Sequence, residues 1–138
     1  MELNTLDIFF QLRPVEYSPD RITIVAIDED SLNSLQSWPI SDKTVAELLR
    51  KIKYYQPRAI GLGIYRNLPV EPGSKKLKKV VSSIQILTGI ESLLDYKNND
   101  IGIGLQSLLR KENKIGLNTV IVDFDGVVRR GLLYAQPN

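Results

Sequence analysis

The chain has 138 residues, carries 18 Lys plus Arg against 16 Asp plus Glu for a formal net charge of +2, and contains neither cysteine nor histidine. So balanced a charge gives no whole-protein argument for binding nucleic acid or an anionic membrane. The two missing residue types exclude disulfides, thiolate catalysis, zinc–cysteine sites, imidazole acid–base chemistry and histidine phosphorelay within this chain.

The length suits one domain with one core. Hydrophobic residues make up 43% and charged residues 25%, as in ordinary soluble domains. No apolar run approaches the ~18 residues of a spanning helix, and no signal peptide is visible. The chain reads either as natively soluble or as a segment taken without its flanks.

In chain order, Leu3, Leu6, Phe9, Phe10 and Leu12 have near-helical spacing, which predicts a helix over 4–13 ended by Pro14. It is either a surface amphipathic helix or a connector that docks through Phe9 and Phe10. Residues 21–27 are β-branched and apolar at both parities, the pattern of a strand covered on both faces. Asp28 is placed to cap a short helix or turn over 29–35. Trp38, the single tryptophan, is expected to pack in the core or as a lid, with ligand stacking as the alternative. A helix then starts at Ser41 or Asp42 and runs to Tyr55 on the stripe Val45, Leu48, Leu49, Ile52 and Tyr55. Glu47 and Lys51 are spaced for an i,i+4 pair.

Residues 59–64 form a second apolar strand. With 21–27 and the intervening helix it makes a βαβ unit with parallel strands. Residues 67–73 are a loop. A helix over 74–82 follows on Leu77, Val80 and Val81, although its lysine-rich first turn opposes the helix dipole and has no local compensation. Alternation over 84–90 predicts a third strand, 91–100 a loop, and 101–111 a helix. Residues 118–122 and 127–134 read as strands of a hairpin turning at 123–126. The fold class is therefore α/β: a single-domain two-layer or three-layer sandwich with a mixed, partly parallel central sheet. One domain spans 1–138, with a connector helix at 4–13 and an α/β core over 21–134.

Ligands of open α/β sheets collect beyond the carboxyl ends of parallel strands. Here those ends are Asp28, Glu29 and Asp30 on one strand and Tyr65 and Arg66 on the next. Adjacent parallel strands lie ~5 Å apart, so Asp28 and Arg66 are expected at one rim, as a structural ion pair or as part of a polar ligand pocket. The late motif Asp123-Phe124-Asp125-Gly126 is similar to the first motif of haloacid-dehalogenase-like phosphatases, in which one aspartate is the nucleophile and the second an acid–base. Only 12 residues follow Gly126, too few for the later motifs of such an enzyme. The turn also lacks the oxygen ligands of a calcium loop. It reads as a β-turn in which Asp123 and Asp125 bond to backbone and Gly126 takes positive φ. Arg129 and Arg130 are expected on opposite sheet faces, one pairing with the acidic turn or with Asp28. The candidate ligand-binding residues are thus Asp28, Glu29, Asp30, Trp38, Tyr65, Arg66, Asp123, Asp125, Arg129 and Arg130. None is assigned a catalytic or metal-ligating role.

These fragments together resemble the type-two CHASE domain (cyclase/histidine-kinase-associated sensory extracellular). The likeness rests on Glu2-Leu3, Asp7, Leu12-Arg13-Pro14, residues 22–32, Trp38-Pro39, residues 57–69, residues 123–130 and Leu132, in that order and spacing. One departure is Gly63, where the family often has aspartate; its absence weakens a cation- or amine-binding role and leaves room for a small cavity. The resemblance implies a non-enzymatic, extracytoplasmic (periplasmic or extracellular) input domain of a bacterial transmembrane receptor. Flanking transmembrane helices and a cytoplasmic kinase or cyclase output belong to that expectation. So does an unknown small ligand or partner protein, with a homodimer among the partners admitted and no cofactor or nucleic acid. A signal would shift the N-terminal helix against the C-terminal strand. The alternative is an interaction scaffold presenting Phe9, Phe10 and the lysine-rich helix. The remote alternative is a phosphatase lacking its C-terminal part.

Overall fold

A computed structural model describes residues 2–17, 20–92 and 104–131. The elements are α1 (Glu2–Leu12), α2 (Glu29–Leu35), α3 (Asp42–Tyr54), β1 (Ile60–Leu62), α4 (Ser74–Ser82), β2 (Leu87–Glu91), α5 (Leu105–Lys111), β3 (Ile115–Leu117), β4 (Val120–Val122) and β5 (Val128–Gly131). Strands β1, β2 and β3 form a parallel sheet in that order, with Leu62 beside Gly89 and Glu91 beside Leu117. Parallel neighbours need a crossover, which α4 supplies between β1 and β2, and α5 between β2 and β3. Strands β4 and β5 form a separate antiparallel pair. The α/β class expected from the sequence is the class observed.

The core lies between the helices and one sheet face. Helix α3 packs along α4, while α5 packs on β2 and β3. Leu49, Leu77, Val81, Ile84, Leu87 and Leu109 are each at most 2% exposed. Each such side chain contributes about 1.5–3 kcal/mol of transfer free energy. Gly61 and Thr88, paired across the sheet, are exposed, so helices cover the opposite face alone among the described residues. Gly89 lets α5 approach: a Cβ there would stand 2.4 Å from Leu109 Cδ1.

Local signals set the helix starts. Asp28 caps α2 by accepting from Ser31 N–H at 2.9 Å, and Ser41 caps α3 by accepting from Thr44 N–H at 3.3 Å. The lysine-rich start of α4 is compensated from outside the helix. The Glu71 carboxylate accepts from the N–H groups of Gly73 at 2.6 Å and Ser74 at 3.3 Å, and also bonds the Ser74 hydroxyl. Lys76 pairs with Glu47 of α3 at 3.0 Å. Glu47 therefore bonds across to α4 rather than along its own helix to Lys51.

One predicted element is absent. Residues 21–27 form no strand; Ile22 is 72% and Ile24 86% exposed. A strand exists only where a neighbour completes its ladder, and β1 takes its partner from β2 across α4. Apolar residues at both parities report a tendency to be covered, not the identity of the cover. From this stretch Ile27 alone packs against the core, joined by Leu32 of α2. The expected βαβ unit over 21–64 is thus replaced by β1–α4–β2 and β2–α5–β3. Trp38 is exposed rather than packed in the core or as a lid. Of the expected loop over 91–100, Glu91 instead ends strand β2; residues 93–100, the start of the 101–111 helix and the end of the 127–134 strand lie outside the described residues.

Candidate functional site

The hairpin builds the most concentrated polar constellation. Its turn closes through Gly126 N–H donating to Asp123 O at 2.9 Å and Asp123 N–H donating to Val127 O at 3.0 Å. Gly126 has φ +84°, the conformation expected of this glycine. The ladder then slips: Ile121 pairs with Arg130 but Val122 pairs with Val128. Arg129 is the extra residue of this β-bulge. A regular strand would send Arg129 and Arg130 to opposite faces; a bulge re-aims one of them. Both guanidiniums accordingly reach Asp123, from Arg129 at 3.1 Å to Oδ2 and from Arg130 to Oδ1. This corrects the expected opposite orientation.

Arg129 is only 4% exposed and uses all five of its N–H donors. Its Nε and Nη2 form a fork on Asp7 of α1 at 2.6 and 2.7 Å. Its Nη1 and Nη2 form a second fork on Asp125 at 2.9 and 2.7 Å. The fifth bond runs from Nη1 to Asp123 at 3.1 Å. Bidentate charge-assisted pairs are the strongest protein hydrogen bonds and demand arginine geometry. The Arg129 guanidinium holds the Asp125 carboxyl down to about 2. Asp7 is lowered chiefly by its bonds to Arg129, and Asp123 by those to Arg130 and then Arg129. Arg129 is itself raised further above its ordinary value, first by Asp7 and then by Asp125. Asp125 keeps one expected backbone bond, accepting from Val127 N–H at 3.2 Å.

Both oxygens of Asp123 are held by guanidiniums, which opposes the nucleophilic role of a haloacid-dehalogenase-like aspartate. Above the clamp, an open groove of about 930 Å³ runs between α1 and the hairpin. Leu3, Leu6, Phe9, Val122 and Phe124 line its apolar part, and Asp123, Arg129 and Arg130 its polar part.

The residues predicted at the first rim are divided: Tyr65 and Arg66 follow β1, whereas Asp28, Glu29 and Asp30 belong to the start of α2. Asp28 is occupied with Ser31, whose N–H and hydroxyl both donate to it, at 2.9 and 2.6 Å. Those bonds lower its pKa. Glu29 and Asp30 sit in the first turn of α2, where negative charge favours the helix dipole. Arg66 pairs not with Asp28 but with Asp42 at 3.4 Å, both side chains 5% exposed. The expected Asp28–Arg66 rim is corrected on this point, because Asp28 has no strand to carry it to β1.

A different polar cluster occupies the carboxyl end of the sheet. Tyr65 donates to Asn118 Oδ1 at 2.6 Å, joining the segment after β1 to the residue after β3. Asn118 N–H donates to Glu91 O at 3.0 Å at the end of β2. The Glu91 carboxylate pairs with Arg110 of α5. Leu105 N–H donates to Arg66 O at 2.8 Å, which seats the start of α5 here. Burial lowers the Arg66 pKa, and Asp42 opposes that shift. Arg66 Nε and Nη1, Glu91 Oε2 and both amide atoms of Gln106 are buried with no hydrogen-bond partner among the described residues. Sequence reasoning found Tyr65 and Arg66 but missed Asp42, Glu91 and Gln106. Asp42 reads as a capping residue, and Gln106 carries no local sign of burial. Gly63 has nothing within 4 Å of a Cβ position, so the aspartate frequent there in the resembling family would meet open space.

The family model of the CHASE2 domain matches residues 1–138. No curated protein and no solved structure matches the chain. No helix among the described residues is long and apolar enough to cross a membrane. The match spans the whole chain, and the clamp joins two segments that carry the likeness, Asp7 and residues 123–130. The chain belongs to the CHASE2 domain family, a family of sensory rather than catalytic domains found in signalling receptors and typically extracytoplasmic.

Proposed function

We propose that this domain is the extracytoplasmic input module of a bacterial transmembrane receptor. It registers its stimulus as a change in the seating of α1 against β5. The observation that carries this reading is the fork from Arg129 to Asp7, between residues 122 positions apart. It joins the first helix to the last strand among the described residues. In a receptor those two elements lead to flanking transmembrane helices, and a cytoplasmic kinase or cyclase supplies the output.

The clamp suits a two-state element. A guanidinium held in two carboxylate forks has strict angular requirements, so a modest shift of α1 breaks both bonds to Asp7 together. The hairpin half survives such a break, because Asp123 and Asp125 still hold Arg129. A stimulus moves this equilibrium only if it binds the two arrangements unequally. The ligand, a small molecule or a partner protein, is therefore one that discriminates clamped from released α1. At the sheet's carboxyl end, both amide atoms of Gln106 and the Oε2 of Glu91 are a second place where a polar ligand would find buried groups without a hydrogen-bond partner among the described residues.

The test is output from the full-length receptor carrying Asp7→Asn or Arg129→Lys. Both substitutions should change basal output without stimulus while circular dichroism of the domain stays the same. Receptors in which both variants keep wild-type basal output and stimulus response would rule the reading out.

The interaction-scaffold reading is favoured by one observation: Phe9 and Phe10 are 65% and 55% exposed rather than docked. Capture of a defined partner by this face, with no change in output for either clamp variant, would decide for it.

A further inference from the structure

We infer that the outer face of the α3–α4 helix layer docks on an anionic lipid bilayer. The net charge of +2 is unevenly spread: residues 42–82 hold ten lysines and arginines against three acids, so the rest of the chain is net negative. The excess gathers on one side. Helix α3 buries Asp42, Val45, Ala46 and Leu49, so Lys43, Glu47, Lys51 and Tyr54 project from its opposite face. Helix α4 buries Leu77 and Val81, so Lys75 and Lys79 project likewise. The two helices pack side by side and lead into neighbouring strands of one parallel sheet. Their outward rows therefore run together over about 20 Å, the length of a 13-residue helix. Arg50, Lys53 and Arg58 extend the exposed basic surface.

The layer has no acid left to neutralise this face. Glu47 is spent on Lys76 at 3.0 Å across the two helices, and Glu71 on the N–H groups that open α4. The buried Asp42–Arg66 pair cancels itself. Lys43, Arg50, Lys51, Arg58, Lys75 and Lys79 form no salt bridge among the described residues. Lysine dominates over arginine here, and that selects the occupant. An ammonium is a hydrated point charge suited to a diffuse anionic surface, whereas arginine forks suit discrete carboxylates and phosphates. Lysine is also depleted in protein–protein interfaces. Tyr54 and Tyr55, 81% and 82% exposed at the end of α3, supply the aromatic type that settles at headgroup depth. A nucleic acid is the wrong partner for a typically extracytoplasmic family. The choice of a bilayer rests in part on the proposed function, which tethers the domain beside a membrane at high effective concentration.

The measurement is co-sedimentation of the purified chain with phosphatidylcholine vesicles, with and without one-third phosphatidylglycerol. The wild type should bind the anionic vesicles and not the neutral ones. Its affinity should fall at least about ten-fold as salt rises from about 0.1 M to about 0.5 M. Lys75→Gln with Lys79→Gln, and separately Lys43→Gln with Lys51→Gln, should each weaken binding about 25-fold, five-fold for each charge removed. Arg13→Gln with Arg21→Gln removes the same charge outside the layer and should stay within about two-fold of the wild type. All variants should keep the wild-type circular dichroism. No binding to anionic vesicles, equal binding to neutral ones, or equal loss in the Arg13 and Arg21 pair overturns the proposal. So does displacement by free glycerol phosphate, which would mark a phosphate pocket, or tighter binding to soluble polyglutamate, which would mark an acidic protein partner. Vesicle binding is read on the chain itself and the clamp on receptor output, so either can fail alone.

Discussion

Asp7 and Arg129 stand 122 positions apart and meet in a two-bond fork at 2.6 and 2.7 Å. The fork exists because a one-residue slip in the hairpin ladder aims Arg129 away from the face its parity would give it. Asp7→Asn should therefore free α1 without unfolding the sheet. Hydrogen exchange across α1 should accelerate by about ten-fold or more, as for a locally opening unit, while amides of β2 keep their protection. Arg129→Lys should behave alike, since a lysine point charge cannot form the fork. Equal loss of protection in α1 and β2 would contradict this.

The clamp also sets an acid limit. Asp7, Asp123 and Asp125 all have pKa values lowered in the folded state, Asp125 to about 2. A depressed carboxylate contributes stability that is present above its unfolded value, ~4, and is lost as pH falls through the folded value. The melting temperature should accordingly hold from neutral pH to about 4 and fall between about 4 and 2. Asp7→Asn should fall less steeply in that window. A melting temperature that drops already between pH 7 and 5 would point to other groups.

Gln106 is 5% exposed and neither amide atom has a hydrogen-bond partner among the described residues. Burying such a group costs free energy that a thioether of similar volume avoids. Gln106→Met should raise unfolding stability by about 1 kcal/mol in urea titration. Destabilisation by a similar amount would show that water or a ligand satisfies the amide.

The Asp42–Arg66 pair is a structural bond with an asymmetric failure. Both side chains are 5% exposed, and Asp42 also accepts from Val70 N–H at 3.3 Å. Asp42→Ala leaves a buried cation unpaired and should cost about 3 kcal/mol. Adding Arg66→Met should recover part of that loss. A double variant no better than Asp42→Ala alone would mean that Arg66 is solvated without its partner.

Gly73 enters α4 at φ +113°, and a Cβ there would stand 2.5 Å from Lys43 N. Gly73→Ala should destabilise the domain by about 2 kcal/mol or more, combining left-handed strain with a backbone clash. A neutral result in thermal denaturation would show that the loop between β1 and α4 relocates freely.

Much of the local structure was legible before any coordinates. Residues 74–82 are a helix as their spacing indicates, Asp28 and Ser41 cap the helices they precede, and Gly126 turns the hairpin. These features are set within one or two helical turns, or within a four-residue turn, so neighbours in sequence are enough to specify them. Family membership was legible too, because it rests on the order and spacing of short motifs along the whole chain. Partnerships across the chain were decided by the tertiary structure alone. Residues 21–27 look like a strand yet lack a ladder, Glu47 turns from Lys51 to Lys76, and Arg66 finds Asp42 instead of Asp28. Hydrophobic pattern reports how much each residue favours being covered, and charge reports what a partner must be. Neither says which distant segment arrives, because that follows from the packing of every other element at once.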